Sequence, residues 1–548
     1  MYSYVMLSLL FMVIVGHAQQ AEISADQRKA MDAITPSSLL SHIRFLSDDL
    51  LEGRGPGTRG DRLTQMYIAS QMELLGLKPG GNNGTYFQPV VIKGMKTDPS
   101  AKLVMSSSGG SSSFTFGNEY VAFTGAQEAT TTVENAEMVF VGYGIVAPEQ
   151  QWNDYKNVDV KGKILLMLNN DPAGDDPKFF GGKARTYYGR WTYKYEIAAS
   201  KGAIGAIIIH TDESAGYGWN VVQNSWSGDR FELAAKPGIP RVPLKGWTTF
   251  EAAGRILALA GKKYDALNAA AQSRDFAPVP LGVKASVTLS TSMKQVETAN
   301  VIGVLPGFDP ILKDEAVIYT AHHDHFGIGR TVNGDSIYNG AMDNGTGVSA
   351  LLNAACAFTS LQSPPRRSIV FMTVAAEEQG LIGSQYYSEN PTFSPAKIAA
   401  NINIDGLPIF GRTRDIIMIG KGKSSMDDVL MAASKLQGRE VKPDQFPEKG
   451  SFYRSDQFNF AKIGVPCMFL KSGLDYIGKP ADFGKKMDAE YTKLHYHQPS
   501  DELSPNWDLS GAVEDVQLNY LVGLMVANAD KKPVWNKGDE FERIRQKE

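Results

Sequence analysis

Five of the eight histidines, His322, His323, His325, His495 and His497, fall in two short clusters late in the chain. Imidazoles gathered with carboxylates suit metal binding and proton transfer. His322 and Asp324 stand two residues apart after the apolar run 316–320, so in extended backbone their side chains share a face. A ligating imidazole commonly donates its other N–H to a carboxylate, and His-x-Asp suits that arrangement. A His-rich surface loop would read the same way. Asp343 lies in the segment NGAMDNGTG at 339–347, where glycines let backbone approach closely. Capping a helix is the other common task for such an aspartate. Glu377 and Glu378 follow the apolar run 369–374. Unpaired buried carboxylates are costly, so this pair is either a solvated turn or a division of labour, one glutamate on a metal and the other moving a proton. Asp405 ends the run 398–404, and His497 arrives in the loop HYHQPSD at 495–501.

Two imidazoles and three carboxylates without a thiolate form a hard-to-borderline donor set. Paired zinc ions fit it, with cobalt or manganese as substitutes. Five protein ligands suffice for two ions that share one carboxylate.

The elements that must position these residues are legible as apolar runs at 301–305, 316–320, 369–374, 398–404, 416–419 and 465–470. Helical patterns at 347–358, 426–436 and 512–529 separate them. Such alternation predicts an α/β fold with a mostly parallel central sheet flanked by helices. Ligands bind such sheets beyond the carboxyl ends of the strands, where the candidate residues fall.

Upstream, helical spacing at 39–46 and 65–75 brackets a turn-rich loop, EGRGPGTRG at 52–60. That loop is either a solvated connection or a lining for a cleft; it lacks the Lys-Ser/Thr of a phosphate loop. Between 106 and 293 the text is β-like, with a Ser/Gly patch at 106–113 that predicts a hairpin tip. Short strands are expected at 138–142, 164–168, 206–209 and 283–289, and a helix at 195–201. His210 stands alone at a strand end and reads as structural. No catalytic set assembles in this stretch.

The chain has 548 residues, enough for two to four domains. Lys+Arg number 55 against 59 Asp+Glu, a net charge of -4 that provides no basic footprint for nucleic acid. Two cysteines build neither a disulfide scaffold nor a four-thiolate site, and both sit in apolar text that predicts buried free thiols. Positions 5–15 are apolar but for Ser8 and lead to Gly16-His-Ala18. This reads as a secretory signal cleaved after Ala18, with an uncleaved anchor as the alternative, since the run is too short to span a bilayer. The expected location is exported, periplasmic or extracellular, with no membrane span once the signal is removed.

Five motifs, AHHDHFG at 321–327, GAMDNGTG at 340–347, AEEQG at 376–380, NID at 403–405 and YHQPSD at 496–501, resemble those of the co-catalytic di-zinc aminopeptidases. That family includes aminopeptidase Y and is related to glutamate carboxypeptidase. The resemblance implies an N-terminal helical segment at 25–125 and a catalytic domain at 294–531, between the expected signal at 1–18 and a polar tail at 532–548. Residues 126–293 are similar to a β-rich protease-associated domain, through VGYGI at 141–145, VKGKI at 160–164 and ASKGAIGA at 199–206. It further implies that Asp343 bridges two zinc ions, with His322 and Asp405 on one and Glu378 and His497 on the other. Glu377 would be the general base that works with metal-activated water, and Asp324 would hold the His322 imidazole. The implied activity is removal of N-terminal residues from peptides with a free amine.

Departures from the family pattern, at His323, Met342, Gln457 and the GLP at 406–408, bear on the pocket and leave every implied ligand in place. The alternatives are a carboxypeptidase or dipeptidase of the same fold, a catalytically silent binding ectodomain, and a transferase cyclising N-terminal glutamine. A carboxypeptidase needs a cation for the substrate carboxylate, for which Arg412, Arg414, Arg454 and Lys471 are candidates. Tyr453 is either an oxyanion partner or a packed loop aromatic.

Overall fold

The computed structural model describes residues 23–156, 158–172, 174–176 and 178–545. The expected signal at 1–18 lies outside these residues. Two β-sheets carry the fold, joined by one strand common to both.

In the first sheet, the parallel strands Cys467–Ser472, Ile398–Asn403, Ala316–His322 and Ser368–Val374 lie side by side in that order. Every residue of the last three is buried, which is why they read as unbroken apolar runs. Beyond Ser368–Val374 the sheet continues antiparallel through Val279–Leu305, Phe87–Thr97 and Arg230–Leu233. On the other side Asp415–Ile419 pairs antiparallel with Cys467–Ser472 and parallel with Glu440–Pro443. The predicted parallel sheet is thus its centre, with antiparallel flanks.

Alternate residues of each strand feed two apolar layers. Val317, Tyr319 and Ala321 pack with the helices Pro36–Leu46, Thr346–Thr359 and Ser510–Asn528, whereas Ala316 and Ile318 pack with Tyr387, Phe458 and Phe460. The first helix begins where Thr35 accepts the Ser38 N–H and Pro36 opens the turn. Its Leu39, Ile43 and Leu46 are fully buried.

The second sheet takes the first half of Val279–Leu305, pairing it with Lys102–Ser107 and Thr130–Phe140. It runs on through Ile164–Leu168, Gly205–Ile209, Leu244–Thr248 and Tyr120–Thr124. The predicted hairpin tip is there, between Lys102–Ser107 and Gly110–Thr115. This sheet has its own core, from Met95 to Leu289. The 27-residue strand Val279–Leu305 spans both sheets, and the expected 293/294 junction falls inside it.

The thiols differ from each other. Cys467 is buried as expected, but Cys356 is exposed, because it falls on the solvent side of the Thr346–Thr359 helix.

Candidate metal and catalytic centre

All seven singled-out residues lie at the carboxyl ends of the parallel strands or on loops that reach there. His322 closes its strand, Glu377 and Glu378 follow Ser368–Val374, and Asp405 follows Ile398–Asn403. Asp343 sits in the turn before the Thr346–Thr359 helix; the peptide bond to Asn344 is cis. His497 comes from the loop after Phe483–Leu494.

Five of them converge. The two oxygens of Asp343 face different imidazoles: Oδ1 is 3.1 Å from His322 Nε2 and Oδ2 is 3.5 Å from His497 Nε2. Asp405 Oδ1 stands 3.5 Å from His322 Nε2, and Glu378 Oε2 stands 3.1 Å from His497 Nε2. Asp343 is therefore the middle member, with one His–carboxylate pair on each side.

Each member is held from behind. Asp501 accepts the backbone N–H groups of Met342 (3.1 Å) and Asp343 (3.0 Å). Asn344 ties this turn to the Asp405 loop, donating to Ile404 O and accepting from Gly347 and Gly406 N–H. Ser455 Oγ donates to Asp405 Oδ2 at 2.7 Å. Glu378 Oε1 lies 2.7 Å from Nδ1 of the buried His325, so its two oxygens are committed in different directions. Ala376 and His497 adopt left-handed backbone (φ 53° and 57°), a conformation that costs a non-glycine residue roughly 1 kcal/mol or more and is retained where the surroundings demand it.

Asp324 lies against both the His322 imidazole and the Glu377–Glu378 backbone. Its Oδ1 accepts the Glu377 N–H at 3.0 Å and Oδ2 the Glu378 N–H at 3.4 Å, while His322 Nδ1 is 3.9 Å from the carboxylate. It is the main-chain carbonyl of Asp324 that meets His322 Nδ1, at 3.2 Å.

The N-terminal helices reach beneath the centre. Arg54 is 1% exposed and donates to the carbonyls of Leu46, His323, Asn339 and Gly340. Burial pulls its guanidinium down to about 10, opposed by Asp324, Asp501, Asp343 and Glu378. The 52–60 loop is therefore not a solvated connection. Gly53 (φ 68°) explains its sequence, since a Cβ there would meet Tyr338 O at 2.5 Å. Asp61 lies 3.2 Å from His323 Nε2 and accepts from Gly57 N–H, Gln65 and Thr298. Asp501, His325 and Arg54 are supporting residues that sequence reasoning left without a role; Asp501 and His325 sit inside motifs already noted, whereas nothing local marks Arg54 as buried.

Electrostatics decide what this pocket accepts. Burial opposes a charge on His322, yet Glu377, Asp343 and Asp405 outweigh it and hold the imidazole well above its usual value. Burial likewise opposes a charge on His497, but Glu378 and Asp343 push it up to about 10. Asp343, despite burial, is held well below the carboxylate range by His322 and His497. The set thus demands positive charge at its centre. Glu378 Oε1 and His497 Nε2 are buried without an aligned hydrogen bond. Among the described residues, donor atoms of His322, Asp343 and Glu378 all lie within 4.8 Å of one another. A divalent cation would take the place of the protons, and the donor types fit zinc. Glu377 stands apart: its carboxylate makes no hydrogen bond or ion pair with the described residues, and burial with Glu378, Asp456 and Asp405 pushes its pKa well above normal.

The cations proposed for a substrate carboxylate divide. Arg412 pairs with Glu514 (2.6 Å) and Arg414 with Asp475 (2.8 Å), while Lys471 donates to the Asp405 carbonyl. Arg454 is exposed and makes no side-chain ion pair with the described residues. Tyr453 is buried, its hydroxyl donating to Glu540 at 2.6 Å, so it packs rather than facing the centre.

An open α/β sheet with a pocket of imidazoles and carboxylates at its parallel strand ends defines the zinc-exopeptidase class of fold. Residues 300–521 match the profile of Peptidase family M28. Over 193 residues the chain is 30% identical to Leupeptin-inactivating enzyme 1 of Streptomyces exfoliatus, covering 35% of this chain and 40% of that protein. It is 28% identical over 161 residues to Aminopeptidase NAALADL1 of Mus musculus, covering 28% of this chain and 19% of that one. The chain thus spans less than half the length of these relatives. Among solved structures, an aminopeptidase from Aneurinibacillus sp. strain AM-1 superposes with a TM-score of 0.51 at 20% identity. That match covers 92% of this chain and 97% of the other, and is a likeness of fold.

Proposed function

We propose that this protein is an exported zinc aminopeptidase that hydrolyses peptides at a free N-terminus. The observation that carries the reading is Asp343 with its two oxygens turned to His322 and His497, each imidazole backed by a further carboxylate. His322 and Asp405 would hold one zinc ion and Glu378 and His497 a second, with Asp343 shared. When bound, zinc supplies Lewis acidity to the scissile carbonyl and to the attacking water.

The chain's own residues do the rest. Glu377, fixed through its backbone by Asp324 and without a hydrogen bond or ion pair at its carboxylate among the described residues, takes a proton from water and returns it to the leaving amine. A raised pKa suits both halves of that exchange. The surrounding carboxylates favour a substrate α-ammonium over a blocked amine. Residues 126–293 are proposed as a protease-associated-like insertion and 294–531 as the catalytic unit.

The deciding assay compares leucine p-nitroanilide with its N-acetyl form, before and after chelation and after zinc is restored. Only the free amine is expected to react, and only with metal. Equal rates on both substrates overturn the aminopeptidase reading. Bound zinc near two per chain is expected by elemental analysis; one per chain overturns the paired site.

A further inference from the structure

The segment 534–545 folds back onto the turn Ser451–Tyr453. Val534 N–H donates to Ser425 Oγ at 3.0 Å, Ser425 N–H donates to Val534 O at 2.9 Å, and the Trp535 indole donates to Gly464 O at 2.9 Å. Phe541 is 1% exposed, and the rings of Trp535, Phe452, Tyr187 and Phe458 lie 5.1, 6.2, 6.4 and 6.5 Å from its own. The expected polar tail is thus anchored by Trp535 and Phe541, both buried.

A polar lock sits among these rings. Glu540 Oε1 accepts the Tyr453 hydroxyl at 2.6 Å and the Lys423 ammonium at 3.1 Å, and Lys423 also reaches Asp539 at 3.1 Å. The ammonium lies 5.3, 5.7 and 5.5 Å from the ring centres of Phe452, Tyr453 and Phe541. A largely buried ion pair adds less stability than apolar packing of the same volume; what it can add is one fixed geometry. From this lock a short chain of hydrogen bonds runs to the metal pocket. Ser455, two residues after Tyr453, donates to Asp405 Oδ2 at 2.7 Å and accepts from Asn403 Nδ2 at 2.8 Å. Gln457 Nε2 donates to the Phe452 carbonyl at 2.7 Å, and Gln457 Oε1 accepts from Asn403 Nδ2 at 2.8 Å. One end of the turn is therefore held by Glu540, and the other carries the hydroxyl that orients Asp405.

Resting on the reading of Asp405 as a zinc ligand, we infer that Glu540 and Tyr453 are positioning residues that lock the turn 451–455, so that Ser455 presents its hydroxyl to Asp405 and zinc is held tightly. Glu540 lies beyond the matched residues 300–521, so a segment outside the family profile tunes the centre. Glu540 reaches Asp405 through Ser455, so the effects of changing Glu540 and Ser455 must not add.

The test is zinc affinity by chelator competition on the full chain, for wild type, Ser455→Ala, Glu540→Ala and the double variant. Ser455→Ala is expected to weaken binding about 10–100-fold, as loss of a ligand's orienting partner does, and Glu540→Ala by about ten-fold. The double variant should bind no more weakly than Ser455→Ala alone. Glu540→Gln keeps an acceptor for the Tyr453 hydroxyl and should recover part of the loss. Tyr453→Phe removes only that hydroxyl and leaves Lys423 its carboxylates; it should weaken zinc in the same direction, and it decides the matter if Glu540→Ala fails to fold. Variants that melt lower yet bind zinc like wild type would make the segment merely structural and overturn the inference. Unchanged affinity in Ser455→Ala, or additive losses in the double variant, would overturn it as well. If zinc binding follows the expected cycle but no peptide is cut, the lock stands and the aminopeptidase reading falls. If wild type binds no zinc, the metal reading falls and the lock with it.

Discussion

Charge is buried in two places, and the two places treat it differently. In the second sheet Lys194 is fully buried yet donates to the carbonyls of Tyr143 and Asn170, each at 2.7 Å. Asp171 beside it accepts from Thr186, and Asp154 accepts from Ile145 N–H and the Trp152 indole. Burial raises both carboxyls, Asp154 to about 6, and lowers Lys194, but each polar group is answered by the protein itself. At the strand ends of the first sheet the carboxylates outnumber the imidazoles, and the Glu377 carboxylate makes no hydrogen bond or ion pair among the described residues. A closed ledger of charges marks structure; an open one marks a place for a ligand.

Four substitutions test that contrast. Glu377→Gln should cut turnover by roughly 10²–10⁴-fold, the contribution of a positioned acid–base group. The chelated variant should melt no lower than chelated wild type, because the lost charge was disfavoured by burial. A variant with full activity removes Glu377 from the chemistry. Lys194→Met should destabilise the fold by about 3 kcal/mol in urea titrations, since it strands two buried carboxyls. Its zinc content should be unchanged; loss of zinc would mean the two regions are not separate.

His325→Ala should weaken zinc binding about 10–100-fold in chelator competition, since it frees Glu378 Oε1 from its orienting neighbour. Unaltered affinity would make His325 a bystander. The smallest effect belongs to Asp309, whose carboxylate is lowered to about 2 by Leu312 and Ile311 N–H groups and by Arg366. A depressed carboxyl pKa adds stability that is present above the unfolded value and lost as pH falls through the folded one. Asp309→Asn should therefore flatten the drop in melting temperature between about pH 4 and 2. A drop as steep as in wild type would show that this carboxylate is not linked to folding.

The sheet was legible because strands buried on both faces must be apolar throughout, as at Ala316–His322 and Ser368–Val374. His322, Glu378 and Asp405 were legible because each follows such a run, and Asp343 and His497 because they stand in short Gly- or His-marked motifs. What escaped depended on long-range geometry. Arg54 looked like loop text, but its place under the pocket is set by carbonyls near residue 46, at residue 323 and at residues 339 and 340. At Asp324 the sequence pointed to the His322 imidazole but not to the second contact, with the Glu377 and Glu378 N–H groups, which the loop two residues past the strand end makes possible.

The shared Val279–Leu305 strand carries a mechanical consequence. An unbroken ladder is stiff where a linker would bend, so the second sheet has no swivel at residue 293. The two sheets are therefore carried as one continuous body across residue 293, just past the point where the strand passes from pairing with Thr130–Phe140 to pairing with Phe87–Thr97.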